Sequence, residues 1–179
     1  MSLTVSGGSL RGRRLATLPG RETRPTIGRV REAVFSILQH DLAGAQVLDL
    51  FAGSGALAIE AVSRGAATAT LIENNPKAAA IIRQNLDRCG LDLRLMVTDY
   101  DAGLKTLARE GAVFDLVFAD PPYGLILPRE MYRILGEYRL MTAGGFLIME
   151  HAGREQSEGD DIVTTRRFGD SAITIYRYG

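Results

Sequence analysis

Residues Gln46-Val47-Leu48-Asp49-Leu50-Phe51 run directly into Ala52-Gly53-Ser54-Gly55-Ala56-Leu57-Ala58-Ile59-Glu60-Ala61, and this junction constrains the fold more than any other stretch of the chain. The first six have the apolar density of a buried strand, the glycines mark a tight turn, and the apolar run after them has the length of a helix start. Gly53 and Gly55 allow backbone dihedrals closed to other residues and let a ligand approach the main chain closely, while the helix N-terminus behind them presents free N–H groups. That is the first crossover of a nucleotide-binding α/β domain. Eighteen residues past Gly55, the strand pattern Ala69-Thr70-Leu71-Ile72 ends at Glu73, an acid placed to accept hydrogen bonds from both ribose hydroxyls. Gly-Ser-Gly-Ala-Leu-Ala also fits a loose dinucleotide fingerprint, so this stretch alone leaves a nicotinamide cofactor open.

The alternation continues to the C-terminus. Strands are expected near 46–51, 69–73, 93–98, 113–119 and 143–149, with helices near 56–64, 76–89, 101–110 and 128–139, a βαβ series that builds a parallel sheet. An earlier helix from Thr26 to roughly Asp41 has apolar residues at Ile27, Val30, Val34, Ile37 and Leu38, with Thr26 as N-cap behind Pro25, and should lie against the ligand mouth. After the polar, acidic segment 152–161, the stretches 162–168 and 172–178 flank Gly169-Asp170 as an antiparallel hairpin. Nicotinamide domains usually continue with parallel crossovers, and this chain has no room for a substrate domain.

The fold class is therefore α/β: a Rossmann-like, mostly parallel seven-stranded sheet with helices on both faces and a C-terminal antiparallel hairpin. With 179 residues, 46% apolar and 23% charged, the composition is that of one soluble domain, and no apolar stretch is long enough for a signal peptide or membrane helix. A cytoplasmic protein is expected. The lone Cys89 suits packing and forms no internal disulfide, and His40 and His151 have no ligand spacing around them, so no metal site is expected.

The apolar run 113–119 closes on Asp120-Pro121-Pro122-Tyr123, at the sheet edge where α/β proteins place their chemistry. Two consecutive prolines fix φ twice and remove two donors, so the carbonyls of Asp120 and Pro121 and the Asp120 carboxylate can all point as acceptors into one small space. Tyr123 adds a flat face. Such a set suits a planar base whose exocyclic NH2 is gripped by both hydrogens, although the tetrapeptide alone is also an ordinary way to leave a sheet.

Net charge is zero, but it is unevenly spread. Residues 1–31 hold seven arginines (Arg11, Arg13, Arg14, Arg21, Arg24, Arg29, Arg31) against one acid, Glu22, a balance of +6 that leaves −6 on the remaining 148 residues. Every cation there is Arg, whose planar fork suits phosphates and stacking on bases. Gly7-Gly8 and Gly12 between short apolar positions favour a small β-hairpin, with a solvated tail as the other reading.

Taken together, Asp49 to Gly55, Glu73, Thr98-Asp99-Tyr100 and Asp120-Pro121-Pro122-Tyr123 resemble the S-adenosylmethionine-dependent methyltransferases that act on exocyclic amino groups. Gly7-Gly8-Ser9-Leu10-Arg11-Gly12-Arg13-Arg14-Leu15, followed by Arg24-Pro25-Thr26-Ile27-Gly28-Arg29-Val30-Arg31-Glu32, looks like the N-terminal signature of the bacterial 16S rRNA guanine-N2 methyltransferases, departing at Ile27-Gly28 where that family usually carries Thr-Asp. The resemblance reaches to about Glu150.

It implies S-adenosylmethionine held by the loop Phe51, Ala52, Gly53, Ser54 and Gly55, by Glu73 on the ribose and by Asp99 on the adenine amine, with Asn74 or Tyr100 flanking. Asp49 either orients this loop and the methionine amine or is a turn-capping carboxylate. Asp120, Pro121, Pro122 and Tyr123 would carry catalysis. Residues 1–25 would form an RNA-docking arm and 26–179 the methyltransferase domain, with Arg11, Arg13, Arg14, Arg24, Arg29 and Arg31 on RNA. The implied partner is 16S rRNA in an assembling small ribosomal subunit, with ribosomal proteins completing the surface. Adenine-N6 methylation of DNA and a non-catalytic RNA-binding protein with a relic pocket are the alternatives; a sequence-specific DNA enzyme needs a base-reading module absent here.

Overall fold

The structure, a computed structural model, describes residues 3–18, 25–155 and 159–179, with the backbone alone for 25–27 and 29. Arg24 and part of the acidic segment therefore lie outside the described residues. Strand β1 (Leu3–Thr4) pairs with β2 (Arg14–Leu15), and helix α1 (Pro25–Ile37) follows. The main body alternates: β3 (Gln46–Leu50), α2 (Ala56–Ser63), β4 (Thr68–Glu73), α3 (Pro76–Cys89), β5 (Arg94–Val97), α4 (Tyr100–Arg109), β6 (Phe114–Ala119), α5 (Pro128–Glu137), β7 (Met141–Ala152), β8 (Ile162–Phe168) and β9 (Ser171–Arg177). These strands form one seven-stranded sheet in the order β5-β4-β3-β6-β7-β9-β8, with β9 antiparallel to both its neighbours and the other pairings parallel.

The two-residue period of a strand splits the core in two. Val47, Leu71, Leu116, Phe118 and Ile148 face α1, α2 and α3, whereas Leu48, Leu50, Val117, Leu147 and Met149 face α4 and α5. Helix ends follow local chemistry. Asn75 accepts from the N–H groups of Lys77 (2.9 Å) and Ala78 (3.4 Å) with Pro76 at the first helical position, and Gly90 closes α3 with φ +66°.

Most boundaries fall within a residue or two of the sequence expectation; α1 begins at Pro25, so Thr26 lies inside the helix rather than capping it, and two ends differ more. Helix α1 stops at Ile37 rather than near Asp41, because the Asp41 N–H turns back on the Leu38 carbonyl (2.9 Å) once the apolar period has ended. Strand β7 runs from Met141 to Ala152, well beyond 143–149. A bulge at Gly144-Gly145 lets Met141 pair with Phe114 before Phe146 pairs with Leu116, and pairing with β9 continues past Glu150.

The N-terminal hairpin is pinned to the body rather than projecting from it. Val5 and Leu15 are buried in the same core as α1 and α2. Beside them, the fully buried Glu60 carboxylate of α2 accepts from the Ser6 N–H (2.8 Å), the Ser6 hydroxyl (2.7 Å) and Arg64 Nε (2.8 Å), and lies 3.6 Å from Arg31 Nε. Arg31, itself 8% exposed, donates through Nη2 to the Thr4 carbonyl. Ser63 donates its hydroxyl to the Gly7 carbonyl (2.6 Å) and accepts from the Leu10 N–H (2.9 Å).

Removing one partner from a buried ion network strands the others in low dielectric. Glu60→Ala should therefore cost about 3–5 kcal/mol of stability, measured by chemical denaturation. A change within about 0.5 kcal/mol, the size expected of an ordinary surface substitution, would show that this network does not hold the hairpin.

Candidate active site

Strand order reverses between β3 and β6, where the connections leave toward opposite sides of the sheet and a crevice opens beyond the strand ends. The glycine turn fills one lip of that crevice. Phe51, Gly53 and Gly55 all have positive φ (62°, 58° and 75°), and the first is a bulky residue in a conformation that costs free energy outside glycine. The strain is held by neighbours: the Ala52 N–H donates to the Ile72 carbonyl (3.0 Å), and the Gly53 N–H to Glu73 (2.8 Å). Phe51 packs its ring 5.2 Å from Tyr100 at 43°. A Cβ on Gly55 would sit 3.1 Å from Leu71 Cδ2, so this turn also needs glycine for space.

Gly55 is the N-cap of α2 and has no side chain to cap with, so the cap comes from the sheet. Asp49 of β3, 2% exposed, accepts from the Ala58 N–H at 3.2 Å. Glu73, 7% exposed, takes the N–H groups of Gly53 and Asn75, each at 2.8 Å, and so clamps the glycine turn to the end of β4. Asp99 caps α4 by accepting from the Ala102 N–H (2.9 Å). Asn85 of α3, fully buried, donates to the carbonyls of Ala16 and Ser54 (3.0 and 2.9 Å) and accepts from the Ala16 N–H (2.7 Å), joining the hairpin to the turn.

A cavity of about 200 Å³ lies in front of this turn, walled by Asp49, Phe51, Ala52, Gly53, Ser54, Asp120 and Glu150 on the sheet side. Helix α1 adds Val30, Arg31 and Val34, and the N-terminal segment closes it with Leu3, Thr17 and Leu18. Glu73, Asn74, Asp99 and Tyr100 lie outside this wall, along the ends of β4 and β5. Pro121 is buried, while Pro122 and Tyr123 (56%) are exposed in the segment that follows the cavity-lining Asp120, with the Leu125 N–H closing the turn on the Pro122 carbonyl (3.0 Å).

The arginines divide. Arg11, Arg13 and Arg14 are exposed on the hairpin, whereas Arg31 is enclosed against Glu60 and is not placed to reach a phosphate. For Arg29 only the backbone, within α1, is described.

Sequence reasoning missed Glu150. It ends the apolar run Phe146-Leu147-Ile148-Met149 as Glu73 and Asp120 end theirs, so the same strand-end rule would have found it had the strand been extended one residue.

The family described as Conserved hypothetical protein 95 matches residues 3–177. The chain belongs to this family. A putative rRNA methyltransferase of Bacillus subtilis is 32% identical over 98% of this chain and 98% of its own. The Escherichia coli (strain K12) ribosomal RNA small subunit methyltransferase D is 38% identical over 74% of this chain and 66% of its own. A solved putative methyltransferase from Escherichia coli superposes with a TM-score of 0.85 at 31% identity, covering 99% of this chain and 98% of that one. The family is that of the Rossmann-like S-adenosylmethionine-dependent methyltransferases resembling methyltransferase D.

The residues present fit that cofactor by their charge. Burial pushes Asp49 up to about 7, a rise that the Ala58 N–H opposes and that Asp120 and Glu73 add to. Glu150 is likewise pushed up to about 7 by burial and then by Asp120, with Ser171 opposing. A buried carboxylate beside the glycine turn, as Asp49 is, gains from a cation, and S-adenosylmethionine brings both an ammonium and a sulfonium. Asp49 and the turn Phe51 to Ser54 would hold its methionine side, and Glu73 and Asp99, at the ends of β4 and β5, its nucleoside.

A carboxyl group raised in the folded state keeps a proton that the unfolded chain has lost, so ligand-free stability falls as pH rises from about 4 to about 7. Asp49→Asn keeps an acceptor for Ala58 and removes this loss. At about pH 8 the ligand-free variant should melt above wild type and bind S-adenosylmethionine more weakly, and the two melting points should converge near pH 4. Calorimetry and thermal melts across this range check both; a variant that melts lower at pH 8 contradicts the account.

Proposed function

We propose that this chain transfers the methyl group of S-adenosylmethionine to the exocyclic N2 amine of a guanine in 16S rRNA of the small ribosomal subunit. The observation that carries the reading is Asp120-Pro121-Pro122-Tyr123 leaving β6 at the mouth of the acid-lined cavity, one strand from the glycine turn. The names borne by the Bacillus subtilis and Escherichia coli relatives support rRNA as the substrate.

The lone pair of a guanine N2 is delocalised into the ring, so the nitrogen is a poor nucleophile until both its N–H bonds are engaged out of plane. The Asp120 carboxylate and the Pro121 carbonyl accept those two hydrogens, and the exposed Tyr123 stacks on the flipped base. S-adenosylmethionine supplies, when bound, a methyl on a cationic sulfur that leaves as a neutral thioether, so no general acid is needed. Holding the amine in line with that methyl is worth roughly 7–11 kcal/mol in favourable cases. Asp120 stabilises the positive charge that develops on nitrogen, and the proton then leaves to solvent.

Mass mapping of methylated nucleosides in 16S rRNA from a strain lacking the gene should show one N2-methylguanosine missing, restored by the wild-type chain. Loss of a different nucleoside, or of none, ends the reading. Asp120→Ala should lower turnover by about a hundredfold or more with cofactor affinity nearly unchanged. Near-normal turnover at saturating substrate would remove Asp120 from the chemistry.

The exposed Arg11, Arg13 and Arg14 mark the hairpin as the docking element, and ribosomal proteins of the assembling subunit would extend that surface. Each phosphate contact releases counterions, so replacing all three by alanine should weaken RNA binding and flatten the log–log salt dependence by somewhat under one unit per lost contact. Parallel salt titrations for variant and wild type would show that these side chains do not touch phosphate.

A further inference from the structure

Glu150 faces the cavity and has no role in the chemistry set out above. Its place in the sheet gives it one. In the β6–β7 register Ala119 lies level with Met149, so the next residues along the two parallel strands, Asp120 and Glu150, are level and on the same face. Adjacent strands lie about 4.8 Å apart, so the two carboxylates enter the cavity side by side. Glu150 is also held, because its main chain pairs with Ile173 of β9.

The direction of that pairing matters. The cofactor-binding turn sits at β3, and the sheet proceeds β3-β6-β7, so Glu150 lies beyond Asp120 on the side away from the turn. A group there meets the target base before it meets the cofactor. The Watson–Crick edge of guanine sets the N1–H donor directly beside the N2 amine, whereas adenine sets the bare N1 acceptor beside its N6 amine. A second carboxylate next to the one gripping the amine is therefore, when ionised above about pH 7, complementary to guanine and repels the N1 lone pair of adenine.

We infer that Glu150 is a specificity-determining residue that accepts the N1–H of the target guanine while Asp120 and Pro121 hold its amine. This rests on the guanine-N2 reading, and the test separates the two. Wild-type protein is first given small subunits from a strain lacking the gene; N2-methylguanosine is the expected product, and any other product overturns the guanine reading and Glu150's role with it.

Subunits are then reconstituted with 16S rRNA carrying either guanine or 2-aminopurine at the mapped position. 2-Aminopurine keeps the amine and replaces N1–H by an acceptor. Wild type should prefer guanine by about a hundredfold or more in kcat/KM, as expected when a buried acceptor is left unpaired. Glu150→Gln, which can donate to an acceptor N1, should narrow that preference by about tenfold or more, with S-adenosylmethionine affinity by calorimetry unchanged. Both enzymes see the same loss of O6, so the change in preference isolates N1.

Glu150→Ala, which adds no donor, should lower guanine turnover without restoring 2-aminopurine. An equal preference in wild type and Glu150→Gln would show that Glu150 does not read the base. A fall in cofactor affinity matching the fall in turnover would place it on the cofactor instead.

Discussion

The architecture of the ligand side depends on the enclosure of one carboxylate, Glu60. A fully buried charge is tolerated only with donors and counter-charge around it, and here they come from three separated parts of the chain: hydrogen bonds from Ser6 and Arg64, and the Arg31 guanidinium 3.6 Å away. Satisfying Glu60 therefore forces the N-terminal hairpin, α1 and α2 into one arrangement. Since the hairpin segment and α1 supply Leu3, Leu18, Val30 and Val34 to the cavity wall, the same enclosure decides that the crevice at the sheet switch point is a cavity and not an open groove. The N-terminal segment thus lines the cavity as well as carrying exposed arginines, and its core side chains Val5 and Leu15 pack with those of α1 and α2.

The cavity itself inverts the usual rule for buried charge. Asp49, Asp120 and Glu150 come from the ends of three adjacent strands, while Arg31, across the cavity on α1, is engaged by Glu60 and Thr4. Burial there raises Asp49 and Glu150 toward neutrality instead of being offset within the fold. For Asp49, which stands beside the glycine turn, a cationic ligand would relieve this cost, so part of the binding free energy would come from electrostatic strain in the ligand-free state.

How much of this was visible in the sequence follows from how local each feature is. The strand, glycine turn and helix from Gln46 to Ala61 are specified within sixteen residues, and the structure forms them as the pattern demands. Strand-end acids were legible for the same reason. Glu150 was not, because its place depends on the register between β6 and β7 and on the pairing with β9 that carries β7 past residue 149, both settled by distant strands. Arg31 was counted with the docking arginines because charge can be tallied from sequence and burial cannot. Glu60 did leave a trace, as an acid inside the apolar run Ala56-Leu57-Ala58-Ile59-Glu60-Ala61, the pattern expected of a buried charge with partners elsewhere.

The clamps that fasten the hairpin share a property with a separate consequence. Asn85 reaches only main-chain atoms, of Ala16 and Ser54; Arg31 takes the Thr4 carbonyl; Ser63 takes the Gly7 carbonyl and the Leu10 N–H. These bonds reach main-chain atoms, although Gly7 must stay small, since a Cβ there would collide with the Arg64 guanidinium, and the Ser6 hydroxyl bonds Glu60 through its own side chain. The fold thus fastens the hairpin largely through its main chain and leaves Arg11, Arg13 and Arg14 exposed on its outward face, so these three side chains can change while the cavity behind them stays intact.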